Sequence, residues 1–355
     1  MIREKNMGMN QKRDIEKLHR ESILFDGLLM WGNLDSRKTM QEMVEGNLGG
    51  GNYTVANHSH DFKGAIANIL KYRKVIGENS DLVALALNTE NIKKAQKTRK
   101  VGIVFGFQDT RAVEEVDQLE VFYALGVRIV QLTYNAQNLA GTGCCEISGG
   151  KITYYGQKLI RKIEELKIAL DLSHCGDETT ESALEYAERP VLFTHVGVRQ
   201  LCNAYGRCKT DKQFEKVART GGMAGVCFAP YFVKRDPQTF DVLPSSVKDV
   251  VGAIQYLVKL IGVDHVGFGS DLARIWFDLG KTPSDSSMRL WRTLRPDVFG
   301  RGPTETYDPF PVGLQKHSEL MNLTVELAER GFSDADIKKI LGGNFLRILK
   351  TIWGG

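Results

Sequence analysis

Residues 168–195, IALDLSHCGDETTESALEYAERPVLFTH, decide the fold of this chain because they contain the same pattern twice. A short apolar run, residues 168–172, leads to His174, and a second run, residues 190–193, leads to His195. The segment between the runs is polar and has the composition of a helix, which predicts a βαβ unit with parallel strands. Parallel strands end on the same side of a sheet, so we expect the two histidines to be neighbours in space.

Two imidazoles at neighbouring strand ends are typical of a metal site, since neutral histidine is a common ligand of zinc. The alternative interpretation is a pair of structural histidines that serve only packing and hydrogen bonding. A single histidine would favour that alternative, but a matched pair at two strand ends favours metal binding. The sequence therefore predicts His174 and His195 as metal ligands.

The alternation of apolar runs and helical segments extends over most of the chain. Six of the eight strand candidates are continuous apolar runs, as expected of strands that are buried on both faces. Eight such strands with helices between them predict an α/β fold, a (β/α)8 barrel of the TIM type. The runs are residues 23–29, 49–57, 101–107, 127–133, 168–172, 190–193, 222–228 and 265–269.

Polar side chains follow five of these predicted strands. They are Gln108, Tyr134, His174, His195 and Asp271. Active sites of such barrels lie at the carboxyl ends of the strands, where the strands meet their loops. The pattern therefore predicts one active site at this mouth of the barrel.

We predict a single barrel domain over residues 1–355, with a helical lead in residues 1–20 and helices again in residues 313–355. Residues 273–312 are irregular in pattern and contain five of the nine prolines, so they interrupt the alternation of strands and helices. A long irregular segment after the last strand could fold over the barrel mouth as a lid. A surface insertion and a dimer contact are the alternatives.

The composition is ordinary for a soluble globular protein, with 42% hydrophobic and 25% charged residues. The net charge is +4 with mixed signs and no long basic block, which argues against nucleic acid as a partner. No apolar run reaches membrane-spanning length, and the polar N-terminal segment lacks the apolar core of a secretory signal. The six cysteines form no CxxC pair, so we expect reduced thiols and a cytoplasmic location.

Several short motifs together resemble the membrane (renal-type) dipeptidases, peptidase family M19, which are metal-dependent barrel hydrolases related to the amidohydrolases. The resemblance runs from about Asp26 to Leu349. Its markers are Asp26-Gly27, LGVR at 125–128, LTYN at 132–135, DLSH at 171–174, Thr194-His195, Arg207 with Thr210-Asp211, Gly221-Gly222, GSD at 269–271 and GGNFLR at 342–347.

The resemblance implies an active site with two zinc ions, but three of the five ligand positions are changed here. The positions of the first-strand ligands hold Leu28 and Met30, and the position of the bridging glutamate holds Gln108. Both histidine ligands are retained as His174 and His195. A neutral amide bridges cations poorly, so we expect one zinc ion rather than two, or none, with Gln108 as a weak ligand.

The resemblance also assigns roles to three further residues. Arg207 would bind a substrate carboxylate, and Asp271 would carry the proton between water and the leaving nitrogen. Tyr134 replaces a histidine that contacts the substrate, and it could hydrogen-bond the developing oxyanion. The third ligand of a single ion stays open; the candidates are Gln108, Asp271, Cys144, Glu146, His58 and His60.

Three functions are compatible with these residues. The first is a metal-dependent hydrolase of small amides or dipeptides, supported by the retained histidines, Arg207 and Asp271. The second is an isomerase, lyase or C–N cleaving enzyme of amine or betaine-type catabolism, with one metal or none, because three ligand positions are lost. The third is a non-catalytic binding protein, since fold alone does not determine function. The resemblance also admits a homodimer.

Overall fold

The computed structural model of the protein describes residues 9–272, 286–301 and 310–354. Within these residues eight parallel strands form a nearly closed barrel in the order β1-β2-β4-β5-β6-β7-β9-β10, and two short strands, β3 and β8, pair with β4 and β7. The strands are β1 (Leu24–Leu29), β2 (Leu48–Ala56), β3 (Val83–Leu85), β4 (Val101–Phe107), β5 (Val127–Gln131), β6 (Ala169–Asp171), β7 (Val191–Val198), β8 (Cys208–Lys209), β9 (Met223–Cys227) and β10 (Val266–Gly269). The predicted (β/α)8 barrel is confirmed.

Every residue of the eight barrel strands is buried. Side chains on one face fill the barrel interior, and those on the other face pack under the surrounding helices. This two-sided burial explains why the strands appear in the sequence as continuous apolar runs.

Helices cover the outside of the barrel and several begin at a capping side chain. The α-helices of the described residues are α1 (Met9–Glu21), α2 (Arg37–Glu45), α3 (Phe62–Glu78), α4 (Thr89–Lys97), α5 (Gln118–Ala124), α6 (Tyr154–Glu165), α7 (Asp177–Tyr186), α8 (Arg199–Cys202), α9 (Asp211–Arg219), α10 (Pro230–Val233), α11 (Val247–Ile261), α12 (Ser286–Leu294), α13 (Pro296–Phe299), α14 (Met321–Glu329), α15 (Asp334–Lys338) and α16 (Asn344–Trp353). A capping box of Thr210 and Gln213 starts α9, and Ser333 caps α15 by accepting from the backbone nitrogen of Asp336. None of the described helices has the length and apolar character needed to span a bilayer.

One carbonyl group, that of Thr194, lies deep inside the barrel. The pairing of β7 with β9 shifts register between Phe193 and Val196, a bulge-like irregularity that falls on Thr194 and His195. A Cβ atom at Gly27, Gly225 or Gly269 would lie only 2.1, 2.2 or 2.1 Å from the Thr194 oxygen. Three glycines on three neighbouring strands therefore make room for this carbonyl, and they fix the backbone that carries His195.

The seam between β1 and β10 is closed by a side chain. Oδ1 of buried Asp26 accepts from the backbone nitrogens of Leu28 at 3.0 Å and Ser270 at 2.7 Å, and Oδ2 accepts from the Ser270 hydroxyl. The nitrogen of Asp271 donates to the Leu28 oxygen at 3.2 Å. Asp26 thus joins the first and last barrel strands directly beneath Asp271.

The predicted lid over residues 273–312 lies partly outside the described residues, because 273–285 and 302–309 are not among them. The described part contains α12 and α13, and it contacts the barrel loops through Arg295, whose guanidinium donates to the Cys145 oxygen. The lid itself stays a prediction.

Candidate active site

The two predicted histidines meet at one end of the barrel, where His174 follows the end of β6 and His195 lies in the carboxyl half of β7. Their Nε2 atoms lie 3.0 Å apart, and both side chains are almost completely buried. The sequence placed them side by side because parallel neighbouring strands end together, and the structure confirms that they are neighbours.

Each imidazole is fixed through its other ring nitrogen. Nδ1 of His174 lies 2.8 Å from Oδ1 of Asn135, and Nδ1 of His195 lies 2.8 Å from the hydroxyl of Thr194. On the open side, the ring of Tyr134 stacks on His174 with centroids 4.3 Å apart. Each imidazole is therefore held by a contact at Nδ1, and His174 also by an aromatic stack.

Burial and positive charge keep both imidazoles neutral. Burial lowers the pKa of His174 and of His195 well below the ordinary value of 6.5, and the nearby charges of Arg207 and Lys209 lower both pKa values further. A neutral imidazole carries one unprotonated nitrogen, which is the form that binds metals or accepts a proton.

Gln108 follows β4 and points its amide at the same place. Its Nε2 lies 3.3 Å from Nε2 of His195, while its backbone oxygen accepts from the side chain of Gln131 at 2.6 Å. The amide of Gln108 therefore lies beside His195, and its role as a weak metal ligand stays a prediction.

Arg207 is a buried cation with unused donors. It is fully buried, and its Nη1 donates to the His195 oxygen at 2.8 Å. Its guanidinium carbon lies 4.7 Å from the ring centroid of Phe232. No acceptor among the described residues reaches its Nε or Nη2 atom. Two unpaired donors on a buried guanidinium are suited to an anionic ligand.

Asp271 lies just past the end of β10 in a left-handed backbone conformation, with φ of 54°. Burial raises the pKa of its carboxyl group to about 7; the charge of Arg207 opposes this shift and the charge of Asp26 adds to it. Its Oδ2 lies 3.9 Å from the Cys227 sulfur. A carboxyl group with a pKa near neutrality can both accept and donate a proton at pH 7.

Four further candidates for a third metal ligand make contacts with other side chains or the backbone. His60 lies 3.0 Å from Oδ1 of Asn57, Glu146 accepts from the backbone of Gln137, and Cys144 donates to Oδ1 of Asn135. His58 stacks on Tyr134, with ring centroids 4.8 Å apart. Across the described part of the chain, no three His, Cys, Asp or Glu side chains converge in a way that could hold a metal ion.

The donor set therefore fits one ion in part and does not fit two. Two ligand nitrogens of a tetrahedral zinc ion, each about 2.1 Å from the metal, are separated by about 3.4 Å. The two Nε2 atoms at 3.0 Å are close to that separation. Leu28, at a position where the resemblance implies a metal ligand, is fully buried and apolar, and the amide nitrogen of Gln108 is not a metal ligand.

Sequence reasoning missed the residues that orient the histidines. Asn135 and Thr194 were noted only as parts of motifs, and so was Asp171, which accepts from the Thr194 hydroxyl at 2.6 Å. A small polar residue beside a predicted ligand is a weak signal, and only the neighbouring position of Thr194 and His195 could have suggested it.

Comparison with known proteins identifies the family. The chain matches the profile of "Membrane dipeptidase (Peptidase family M19)" over residues 12–279 and 301–353. An uncharacterised Klebsiella pneumoniae protein from the pqqA 5′ region is 26% identical over 288 residues, 79% of this chain and 93% of that protein. An amidohydrolase from Pseudomonas aeruginosa superposes with a TM-score of 0.83 at 32% identity, covering 96% of this chain and 99% of its own.

A Rhodobacter sphaeroides metallo peptidase, solved with a phosphinate mimic of the dipeptide L-Ala-D-Ala, has the same fold. It superposes with a TM-score of 0.74 at 17% identity, over 94% of this chain and 100% of its own. The profile match extends over nearly the whole sequence. This chain belongs to the membrane dipeptidase family, peptidase family M19.

Proposed function

We propose that the protein hydrolyses small amides that carry a free carboxylate, with dipeptides as the first class to test. The observation that carries this proposal is Arg207, a fully buried cation with two unpaired donors beside the histidine pair. A substrate carboxylate would pair with Nε and Nη2 in a two-pronged contact. The phosphinate mimic of a dipeptide that is bound to the Rhodobacter sphaeroides relative supports the same substrate class.

His174 and His195 would supply two ligands of one zinc ion through their Nε2 atoms, and the third ligand stays open. When bound, zinc supplies hydroxide near neutral pH by lowering the pKa of a bound water. Asp271, with its pKa raised to about 7, would take up a proton and return it to the leaving nitrogen. Tyr134, held in a stack against His174, would offer its hydroxyl to the developing oxyanion.

A second candidate is an isomerase, lyase or C–N cleaving enzyme with one metal or none. It is favoured by the contact of the Gln108 amide nitrogen with Nε2 of His195, since a hydrogen-bond donor at that nitrogen competes with a metal ion. In such an enzyme the paired imidazoles would exchange protons with the substrate. A cytoplasmic location remains a prediction under either function.

Metal analysis combined with a dipeptide panel separates these functions. We expect about one zinc per chain, lost in His174→Ala, and turnover of dipeptides. Bound metal without turnover of any dipeptide would favour the second candidate. Absence of both metal and turnover, with no effect of Asp271→Asn on any reaction, would leave a binding protein.

Arg207 is tested with a matched pair of substrates. Loss of two hydrogen bonds to a charged group costs about 3 kcal/mol, which corresponds to roughly a 100-fold loss in kcat/KM. Arg207→Gln should show this loss on a dipeptide, but a much smaller loss on the same dipeptide with an amidated C-terminus. Equal losses on both substrates would contradict the assignment of the carboxylate to Arg207.

A further inference from the structure

Asp171, Thr194 and His195 form a continuous hydrogen-bonded chain. The Thr194 hydroxyl lies 2.6 Å from Oδ2 of Asp171 and 2.8 Å from Nδ1 of His195. Oδ1 of Asp171 accepts from the Ser173 nitrogen, the Ser173 hydroxyl and the Thr194 nitrogen. The carboxylate is thus an acceptor on both oxygens, although it is buried.

The direction of these bonds follows from counting protons. A hydroxyl has one proton, and that of Thr194 is donated to Oδ2 of Asp171 at 2.6 Å. The nearby Ser173 hydroxyl, 3.2 Å away, gives its own proton to Oδ1 of Asp171. The remaining partner of the Thr194 oxygen is Nδ1 of His195, which must donate.

We propose that Thr194, acting with Asp171, is a positioning residue that locks His195 in the tautomer with its proton on Nδ1. The amide oxygen of Asn135 can only accept, so it locks His174 in the same tautomer. Both Nε2 atoms then present lone pairs, and they face each other at 3.0 Å. Two acceptors at this distance repel, so the fold holds the imidazoles in an arrangement that favours a cation between them.

The backbone of Thr194 is held independently of its hydroxyl. Its carbonyl occupies the barrel interior against Gly27, Gly225 and Gly269, and its nitrogen donates to Asp171. Thr194→Val removes the hydroxyl and keeps the branched shape, so the backbone should stay in place. Thr194→Ser keeps the hydroxyl and is the matched control.

Histidine tautomers are measured directly by long-range 1H–15N NMR of metal-free protein at pH 7.5, with His174→Ala and His195→Ala to assign the signals. The wild type should show both rings protonated at Nδ1. In Thr194→Val, His195 should gain the Nε2-protonated form, because Nε2–H can then donate to Nε2 of His174. Thr194→Ser should restore the wild-type pattern.

Zinc affinity gives a second readout that does not depend on turnover. Loss of a partner that orients a metal-ligating histidine weakens metal binding by about 10- to 100-fold. We expect that loss in Thr194→Val, measured by titration of zinc alone against a competing chelator, and recovery in Thr194→Ser. An unchanged His195 tautomer in Thr194→Val, or Nε2 protonation in the wild type, would overturn the inference.

The inference rests on the proposed function only for the identity of the cation, and the two fail separately. Locked tautomers without zinc binding or dipeptide turnover would leave the positioning role intact and refute the proposed hydrolase. Dipeptide turnover without a fixed His195 tautomer would support the proposed hydrolase and refute the positioning role of Thr194.

Discussion

Asp271 should destabilise the folded protein at neutral and alkaline pH. Burial raises its pKa from 3.8 to about 7, so the folded state disfavours the ionised form. The free-energy cost of ionising buried Asp271 is absent below the pKa that this carboxyl group has in the unfolded chain. The cost grows as the pH rises toward 7 and is constant above pH 7. Asp271→Asn removes the charge and keeps the shape, and asparagine tolerates the left-handed backbone at this position.

The size of the effect follows from the pKa shift. A shift of about 3 units at about 1.4 kcal/mol per unit gives a ceiling of about 4 kcal/mol. Asp271 keeps some contact with solvent, which screens the charge, so we expect about half of this value. Asp271→Asn should therefore gain about 2 kcal/mol in the free energy of unfolding at pH 8, and less than about 1 kcal/mol at pH 5.

Urea denaturation of the chelator-treated wild type and variant at pH 5 and pH 8 measures this difference. Asp81→Asn is a control of opposite sign, because the exposed Asp81 carboxylate pairs with Arg37, which lowers its pKa. Asp81→Asn should therefore show no gain in the free energy of unfolding at pH 8. A gain for Asp271→Asn that is equal at both pH values, or absent at pH 8, would refute the argument from burial.

Three further predictions concern the active site. If ionised Asp271 is the proton acceptor, kcat/KM should fall about tenfold per pH unit below its pKa of about 7. A pH–rate profile without this fall at low pH would argue against that role. Gln108→Glu places an anionic ligand beside His195 and should tighten zinc binding at least about tenfold in a chelator competition, whereas Gln108→Ala should not. Asp26→Asn leaves the Ser270 contacts incomplete and should lower the free energy of unfolding by about 2 kcal/mol. The same variant should lower kcat more than it changes KM. An unchanged kcat would show that Asp271 needs no support from Asp26.

The barrel could be predicted because its strands are buried on both faces and so appear as long apolar runs. Between the strands, helices α9 and α11 each begin at a capping box, Thr210 with Gln213 and Ser246 with Asp249. Strands β3 and β8 were not predicted. With three and two residues they are too short to produce a periodic signal.

The histidine pair could be predicted from topology alone, because neighbouring parallel strands bring their ends together. The surroundings of the pair could not. Asn135 is 39 residues from His174, and Asp171 is 23 residues from Thr194, so no local pattern links them. The unused donors of Arg207 are also invisible in the sequence, since a missing partner is a property of three-dimensional packing.

The seam held by Asp26 has a consequence for how the chain is made. Asp26 and Ser270 are 244 residues apart, so the barrel closes only when nearly the whole sequence is available. A contact this distant in sequence forms slowly. Until β10 leaves the ribosome, β1 is an open edge that can pair with other chains. We therefore expect an open sheet during biosynthesis, and loss of the Asp26 carboxylate should increase aggregation of newly made protein more than that of folded protein.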